Sequence, residues 1–313
     1  MPIADAEPHV PTPTSAPADL PVPPDPAAIA RVVTAALDED LGAAPGRDVT
    51  TQATIAPERL GVAHLVARQA GVVAGLVVVA PVLDEVADRL GLPRATVRTR
   101  AQDGDHVAAG QVVAVLEGPL QVLLVGERTL LNLVSRASGV ATHTRRWAIA
   151  LSGTGATVLD TRKTTPGLRA LEKYAVRCGG GTNKRMGLYD VAMVKDNHVA
   201  AAGSVGAAVR AVRERFDVPV QVEADTLEQA MEALDAGADF LLLDNMPTAL
   251  LAEVVAAVRE REPALGQHVD LEATGNLTLD RAREVAATGV DYLSVGALTH
   301  SSPILDLALD LQA

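Results

Sequence analysis

Hydrophobic positions fall into two regimes along the chain. In the first, Ile29, Val32, Val33, Ala36 and Leu37 keep the i, i+3, i+4, i+7, i+8 spacing of an amphipathic helix beginning near Ala27. Apolar segments at 62–68, 72–79, 96–100 and 111–116 read as strands, and 81–90 as a helix with Pro81 at its start. A long helix follows from Glu127, where Glu127, Arg128 and Asn132 stand among Leu130, Leu131, Leu133 and Val134. Beyond Gly155 a second regime begins: short apolar strands that end in polar residues, most of them followed by amphipathic helices. The strands are TVLDTR (157–162), AMVKDNH (192–198), PVQVEAD (219–225), DFLLLDNM (239–246), VDLEATG (269–275) and DYLSVGAL (291–298). The helical stripes are Val205/Ala208/Val209/Val212, then Leu227/Ala230/Met231/Leu234 behind a capping box from Thr226 to Gln229, then Leu251/Val254/Val255/Val258 with Pro247 near the start.

Alternating strands and helices imply an α/β protein with a parallel sheet. The dinucleotide-binding G-x-G-x-x-G after a first strand is absent. Nearly every strand ends in functional-looking polar residues, rather than strands at a single switch point. That favours a barrel, whose strand ends surround one mouth, here short or partly open with fewer than eight strands. In the first regime, DGDHVAAGQVVAVLEG (103–118) is similar to the hairpins of lipoyl and biotinyl carriers, but no lysine lies in it, which excludes that role.

Charge sharpens the picture. The 313 residues carry 27 basic and 39 acidic side chains, a net charge of −12. That balance argues against nucleic acid or an anionic membrane as partner, and no run is long and apolar enough to span a bilayer. Nine of the 19 prolines fall in residues 1–26, which read as a disordered tail without the apolar core of a secretory signal. The single cysteine, Cys178, fits a reducing cytoplasm and a structural role.

All four lysines (Lys163, Lys173, Lys184 and Lys195) lie in one 33-residue window. Residues 161–200 hold eight basic residues against three acidic ones. A basic centre in an acidic protein points to a small, highly charged anion, against the plainer reading of a solvated, salt-bridged helix. The strand ends supply the rest. Arg162, Lys163 and Lys195 suit carboxylates or phosphates. Glu223 and Asp244 suit sugar hydroxyls or a hydrated Mg²⁺. Gly275 and Gly296 open backbone to phosphate. Together these suit a phosphorylated sugar and an anionic co-substrate. Simpler roles exist for single residues: Asp225 before Thr226 can cap a helix, Arg128 can pair with Glu127, and His300 can cap the Thr-His-Ser-Ser-Pro turn.

The motifs GERTLLNLVSRASGVAT (126–142), LDTRKTTPGLRALEKYAVRCGGGTNKRMGLYD (159–190), VKDNHV (194–199), VEADTLEQA (222–230), LLLDNM (241–246), LEATGNL (271–277) and SVGALTHS (294–301) occur in this order. In them the chain resembles the quinolinate phosphoribosyltransferases, of the type II phosphoribosyltransferase family. The resemblance implies an N-terminal α/β sandwich over 27–139, a catalytic α/β barrel over 140–297, and a C-terminal segment, 298–313, returning to the sandwich. It implies a homodimer with active sites shared between subunits, a higher oligomer staying open. It implies that phosphoribosyl pyrophosphate and quinolinate, with Mg²⁺, give nicotinate mononucleotide, pyrophosphate and CO₂. Carried over, Arg162, Lys163, Arg185 and Lys195 would bind the pyridine dicarboxylate, with Arg128 reaching in from the partner. Glu223 and Asp244 would face ribose and metal. Thr274, Gly275, Gly296 and His300 would surround the phosphates. Two positions depart from the family's usual pattern: Lys184 stands where histidine is common, and Asn276 where glycine is. They leave room for a paralogue acting on another anionic heterocycle, whether nicotinate-specific or molybdenum-associated. A non-catalytic anion-sensing barrel is the reading from outside enzymology.

Overall fold

The computed structural model describes residues 21–312; of the proline-rich tail expected over 1–26, residues 1–20 lie outside them, and Pro26 already opens the first helix. The elements run α1 (Pro26–Leu41), α2 (Thr51–Thr54), β1 (Leu60–Ala67), β2 (Gly71–Val72), α3 (Val79–Leu90), β3 (Thr96–Thr99), β4 (His106–Val107), β5 (Val112–Pro119) and α4 (Leu120–Ala150). Then come β6 (Thr157–Leu159), α5 (Arg169–Cys178), β7 (Ala192–Val194), α6 (Asp196–Ala202), α7 (Val205–Arg213), β8 (Val220–Ala224) and α8 (Leu227–Asp235). The chain closes with β9 (Phe240–Asp244), α9 (Thr248–Leu265), β10 (Asp270–Thr274), α10 (Ala282–Ala286), β11 (Tyr292–Ser294), α11 (Ala297–His300) and β12 (Leu307–Gln312). Two compact units result, one of residues 33–142 with 304 onward, the other of 24–32 with 143–303.

The first unit is built on an antiparallel sheet in the order β12-β1-β5-β3. The C-terminal strand pairs with β1 from Val62↔Gln312 to Ala67↔Leu307. Helix α3 buries Val79, Val82, Leu83, Val86 and Ala87, a helical stripe. Three expectations need correction here. Of residues 72–79 only Val72 is in a strand, paired with His106, and Val73 N still donates to the Asp105 carbonyl; beyond them the Ala74 and Leu76 N–H groups donate to Ser138 Oγ (3.0 Å) and Asp103 Oδ1 (2.9 Å). Side chains satisfy that backbone where a neighbouring strand would otherwise be required. The run is apolar because it is buried, not because it alternates in a sheet. Residues 103–118 are not a hairpin either, since β4 pairs with β2 while β5 pairs with β1 and β3. The long helix starts at Leu120, seven residues before the first polar cluster that marked it.

The second unit holds six parallel strands in the order β6-β11-β10-β9-β8-β7. First and last strands are neighbours, the order of a barrel, and β6 and β7 share no ladder. Beside β6 the chain instead makes one isolated parallel bridge, Leu159↔Thr182. The strand interiors are apolar: Val222, Leu241, Leu242, Leu243, Leu271, Ala273 and Leu293 are all at most 2% exposed. Helix α8 begins as its sequence predicts, with Thr226 Oγ1 accepting from Gln229 N. The reciprocal bond differs: Gln229 Oε1 accepts from Asp225 N at 2.7 Å, so Asp225 is not the cap. Several strands are shorter than expected. β7 stops at Val194 because α6 opens at once, with His198 Nδ1 accepting from Lys195 N (3.0 Å).

Candidate active site

The strand-end positions put most of the predicted residues at one end of the second unit. Arg162 and Lys163 follow β6, Lys184 and Arg185 sit in the loop after α5, and Lys195 follows β7. Glu223 lies in β8, Asp244 ends β9, Thr274 ends β10, and Gly296 and His300 surround the start and end of α11. Arg128 is in α4, in the first unit.

The lysines divide by partner. Lys173 is buried and donates to Asp160 Oδ1 and, at 3.0 Å, to the Lys184 carbonyl. Asp160 also accepts from Asn183 Nδ2 (2.6 Å) and Lys184 N (2.9 Å). Burial pushes the Asp160 carboxyl up and the Lys173 ammonium down, each against the pull of the other. This pair is too enclosed to meet a substrate; it fixes the backbone that presents Lys184. Lys184 Nζ in turn donates to Glu272 Oε1 at 2.6 Å, the two side chains being 8% and 0% exposed. Burial pushes the Lys184 ammonium down, and Lys195 and Arg185 nearby add to the fall while Glu272 opposes it.

Lys195 pairs with Glu223; the lysine side chain is 43% exposed and the carboxylate 14%, so water reaches the pair from the lysine's side. Of the paired lysines described above, Lys195 is the one that solvent reaches, and so the one an incoming anion can draw from its partner most readily. Lys163 has no side-chain partner among the described residues, and the buried Nε of Arg162 has none either. Arg185 donates to the Val191 carbonyl (2.9 Å). Its guanidinium is pushed down by burial and by Arg162, against Asp190. Arg162 and Arg185 are thus like charges held near one another, an arrangement that an anion relieves.

Around Gly296 the packing is tight. A Cβ there would lie 3.1 Å from Lys163 Cδ and 3.2 Å from His300 Nε2. Thr299 Oγ1 donates to the Lys163 carbonyl (3.0 Å), tying the last strand to the first. His300 Nδ1 lies 2.6 Å from Ser301 Oγ, so it does sit in the turn while its other nitrogen faces Gly296. At the ends of β9 and β10, Asp244 Oδ2 accepts from Asn245 Nδ2 (2.9 Å), and Asn276 Nδ2 donates to Asn245 Oδ1 (3.2 Å). Both asparagines have positive φ, 52° and 46°. Gly275 between them, at φ 92°, has no room for a side chain: a Cβ would come 2.1 Å from Asn245 Oδ1. Asn276 therefore turns its amide onto Asn245.

Residues 48–138 match the family model "Quinolinate phosphoribosyl transferase, N-terminal domain", and 140–310 the corresponding C-terminal domain. The chain belongs to the quinolinate phosphoribosyltransferase family. It is 48% identical over 277 residues to the nicotinate-nucleotide pyrophosphorylase (carboxylating) of Mycobacterium leprae, covering 88% of this chain and 94% of the relative. The probable enzyme of that name from Bacillus subtilis is 41% identical over 278 residues, covering 87% and 90%. The solved nicotinate-nucleotide pyrophosphorylase of Francisella tularensis superposes with a TM-score of 0.79 at 33% identity, covering 91% of this chain and 96% of that one. The α/β architecture, an antiparallel-sheet unit followed by a six-stranded parallel one, is that of this quinolinate phosphoribosyltransferase fold.

Several residues that hold the loops carrying these cations were not singled out by sequence reasoning. Asn183 joins Asp160 to the Lys173 carbonyl. Glu172, fully buried, accepts from Thr165 N and Oγ1 (3.0 and 2.8 Å) and so holds the loop after Lys163. The signal available was charge inside the apolar stripe of α5, where Glu172 and Lys173 stand beside Leu171, Tyr174 and Ala175.

Proposed function

We infer that this chain transfers the phosphoribosyl group of phosphoribosyl pyrophosphate to quinolinate with loss of CO₂. It is a decarboxylating pentosyltransferase of NAD synthesis. The observation that carries its residue assignment is the contrast among cations: among the described residues Arg162 and Lys163 have no side-chain partner, while Lys173 and Lys184 are tied to buried carboxylates. Arg162, Lys163, Arg185 and Lys195 bind the pyridine dicarboxylate, with Lys184 at the edge of the group. A doubly charged anion answers to several converging cations, two of them guanidiniums that bind carboxylate bidentately. Thr274, Gly275, Asn276, Gly296 and His300 border the phosphates.

The ring nitrogen attacks the anomeric carbon as pyrophosphate departs, through an oxocarbenium-like state. Little covalent chemistry falls to the protein, so catalysis is positioning and charge stabilisation. Glu223 and Asp244 present negative charge to the ribose as it becomes cationic. As CO₂ leaves, the bonding pair stays on the ring carbon, where the adjacent pyridinium nitrogen stabilises it by its positive charge until that carbon takes up a proton. The donor set also suits Mg²⁺, a hard ion held by one or two carboxylates together with substrate phosphates. Asp244 keeps one oxygen without a hydrogen bond among the described residues, and Glu223 is engaged by an easily opened pair. When bound, the ion would offset the charge of the leaving pyrophosphate.

A homodimer completes the proposal. Arg128 is exposed and lines a concavity of about 480 Å³ with Arg47, Asp48, Asp40 and Val125, and it pairs with no described residue, Glu127 included. In the loop next to Arg185, Leu188 and Tyr189 are 72% and 79% exposed, an apolar edge that a second copy would cover. Among the described residues no helix is long and apolar enough to cross a membrane.

The experiment is a product assay with quinolinate, phosphoribosyl pyrophosphate and Mg²⁺. Nicotinate mononucleotide, pyrophosphate and CO₂ are expected in equal amounts, and chelation of Mg²⁺ is expected to stop all three. Undiminished turnover in chelator would remove the metal from this reading.

A further inference from the structure

Glu272 sits in the middle of β10, fully buried, in register with Leu242 of β9 and Tyr292 of β11. One carboxylate oxygen accepts from Lys184 Nζ; the other, Oε2, is buried and has no hydrogen-bond partner. Lys184 is fixed from behind: its N–H donates to Asp160 and its carbonyl accepts from Lys173. A rigid lysine therefore faces a buried carboxylate at the cationic end of the barrel. Unlike Lys195, it is too enclosed to be drawn off cheaply by a substrate carboxylate. Its charged surroundings are Glu272 on β10, Arg185 beside it, Lys195 after β7, and the Asp160–Lys173 pair at its backbone.

Resting on the activity inferred above, we propose that Lys184 is the acid that protonates the pyridine carbon vacated by CO₂, and that Glu272 is its positioning residue. The carbon–carboxylate bond breaks, CO₂ leaves without the bonding pair, and the pair stays on the carbon next to the pyridinium nitrogen. The Lys184 Nζ–H bond then breaks, the proton joins that carbon, and the N–H pair stays on nitrogen. The neutral amine recovers a proton from water once products leave. An ammonium made less basic by burial gives up its proton more readily, and Glu272 keeps enough of it charged to act.

The test is first-turnover release of pyrophosphate and of CO₂, with kcat followed against pH, for wild type, Lys184→Arg, Lys184→His and Glu272→Gln. Circular dichroism checks that each variant is folded. Arginine keeps the charge but does not give up its proton, so CO₂ release should fall at least tenfold more than pyrophosphate release. Histidine should restore CO₂ release at low pH, with the alkaline fall moved down toward the imidazole range. The acid must be protonated to act, so activity is lost as pH rises through its pKa. Glu272→Gln removes the group favouring the charged form and should move that fall to lower pH. Parallel loss of pyrophosphate and CO₂ in Lys184→Arg, or an unmoved alkaline limb in Glu272→Gln, overturns the proposal. Wild type releasing no pyrophosphate from quinolinate would instead overturn the activity on which it rests.

Discussion

Lys163→Ala is expected to lose about 10²–10³-fold in turnover while the folded state survives unchanged. A preorganised charge acting on developing charge in a shielded site contributes about 3–4 kcal/mol to the transition state. Lys163 is exposed and has no side-chain partner among the described residues, so nothing structural leaves with its ammonium. Its backbone stays anchored through Thr299 and Thr161. Lys195→Ala should cost turnover too, but it also frees Glu223, which mixes two effects. Steady-state kinetics and a denaturant melt on Lys163→Ala separate chemistry from folding. Turnover within threefold of wild type would take Lys163 out of the mechanism.

Lys173→Met carries the largest expected effect on stability, about 3–5 kcal/mol. The substitution leaves Asp160 buried with no cation, and a charge so placed costs far more than the pair itself contributes. Asn183 and Lys184 N continue to donate to Asp160, which offsets part of the loss. Removing the carboxylate as well, in Asp160→Leu/Lys173→Met, should recover much of it, since apolar replacements of buried pairs are often neutral. Urea denaturation of the two single variants and the double gives the coupling directly. A loss below about 1 kcal/mol in Lys173→Met, well under the cost of an unpaired buried charge, would show that the pair is not what orders this end of the barrel.

The barrel was legible because each strand ends in a polar residue after three to five apolar ones, a repeat that survives in single-sequence form. Its strand lengths were less so. Residues 195–198 continue the strand pattern by composition, but His198 turns back to the Lys195 backbone and starts α6. The first unit was harder, since a segment such as 72–79 is apolar whether it lies in a sheet or is buried with its N–H groups on side chains. The site shows the same division. Arg162, Lys163, Glu223 and Asp244 could be singled out as candidates from their places at strand ends. The internal pairings did not, because Lys184–Glu272 and Lys173–Asp160 join residues 88 and 13 positions apart. Spacing alone gave no reason to pair those four residues and leave Lys163 single. Asn276, which by sequence intrudes on a phosphate-binding backbone, proves to fold its amide onto Asn245.

The central claim is that these cations are arranged for two carboxylates on one ring. It is tested most directly by comparing quinolinate with nicotinate under saturating phosphoribosyl pyrophosphate and Mg²⁺, with nicotinate mononucleotide as the common product. Quinolinate is expected to be used and nicotinate to give at least 100-fold less product, since one carboxylate leaves part of the cationic group uncompensated at about 1.4 kcal/mol per tenfold. Equal use of the two acids, or use of nicotinate alone, would contradict the account.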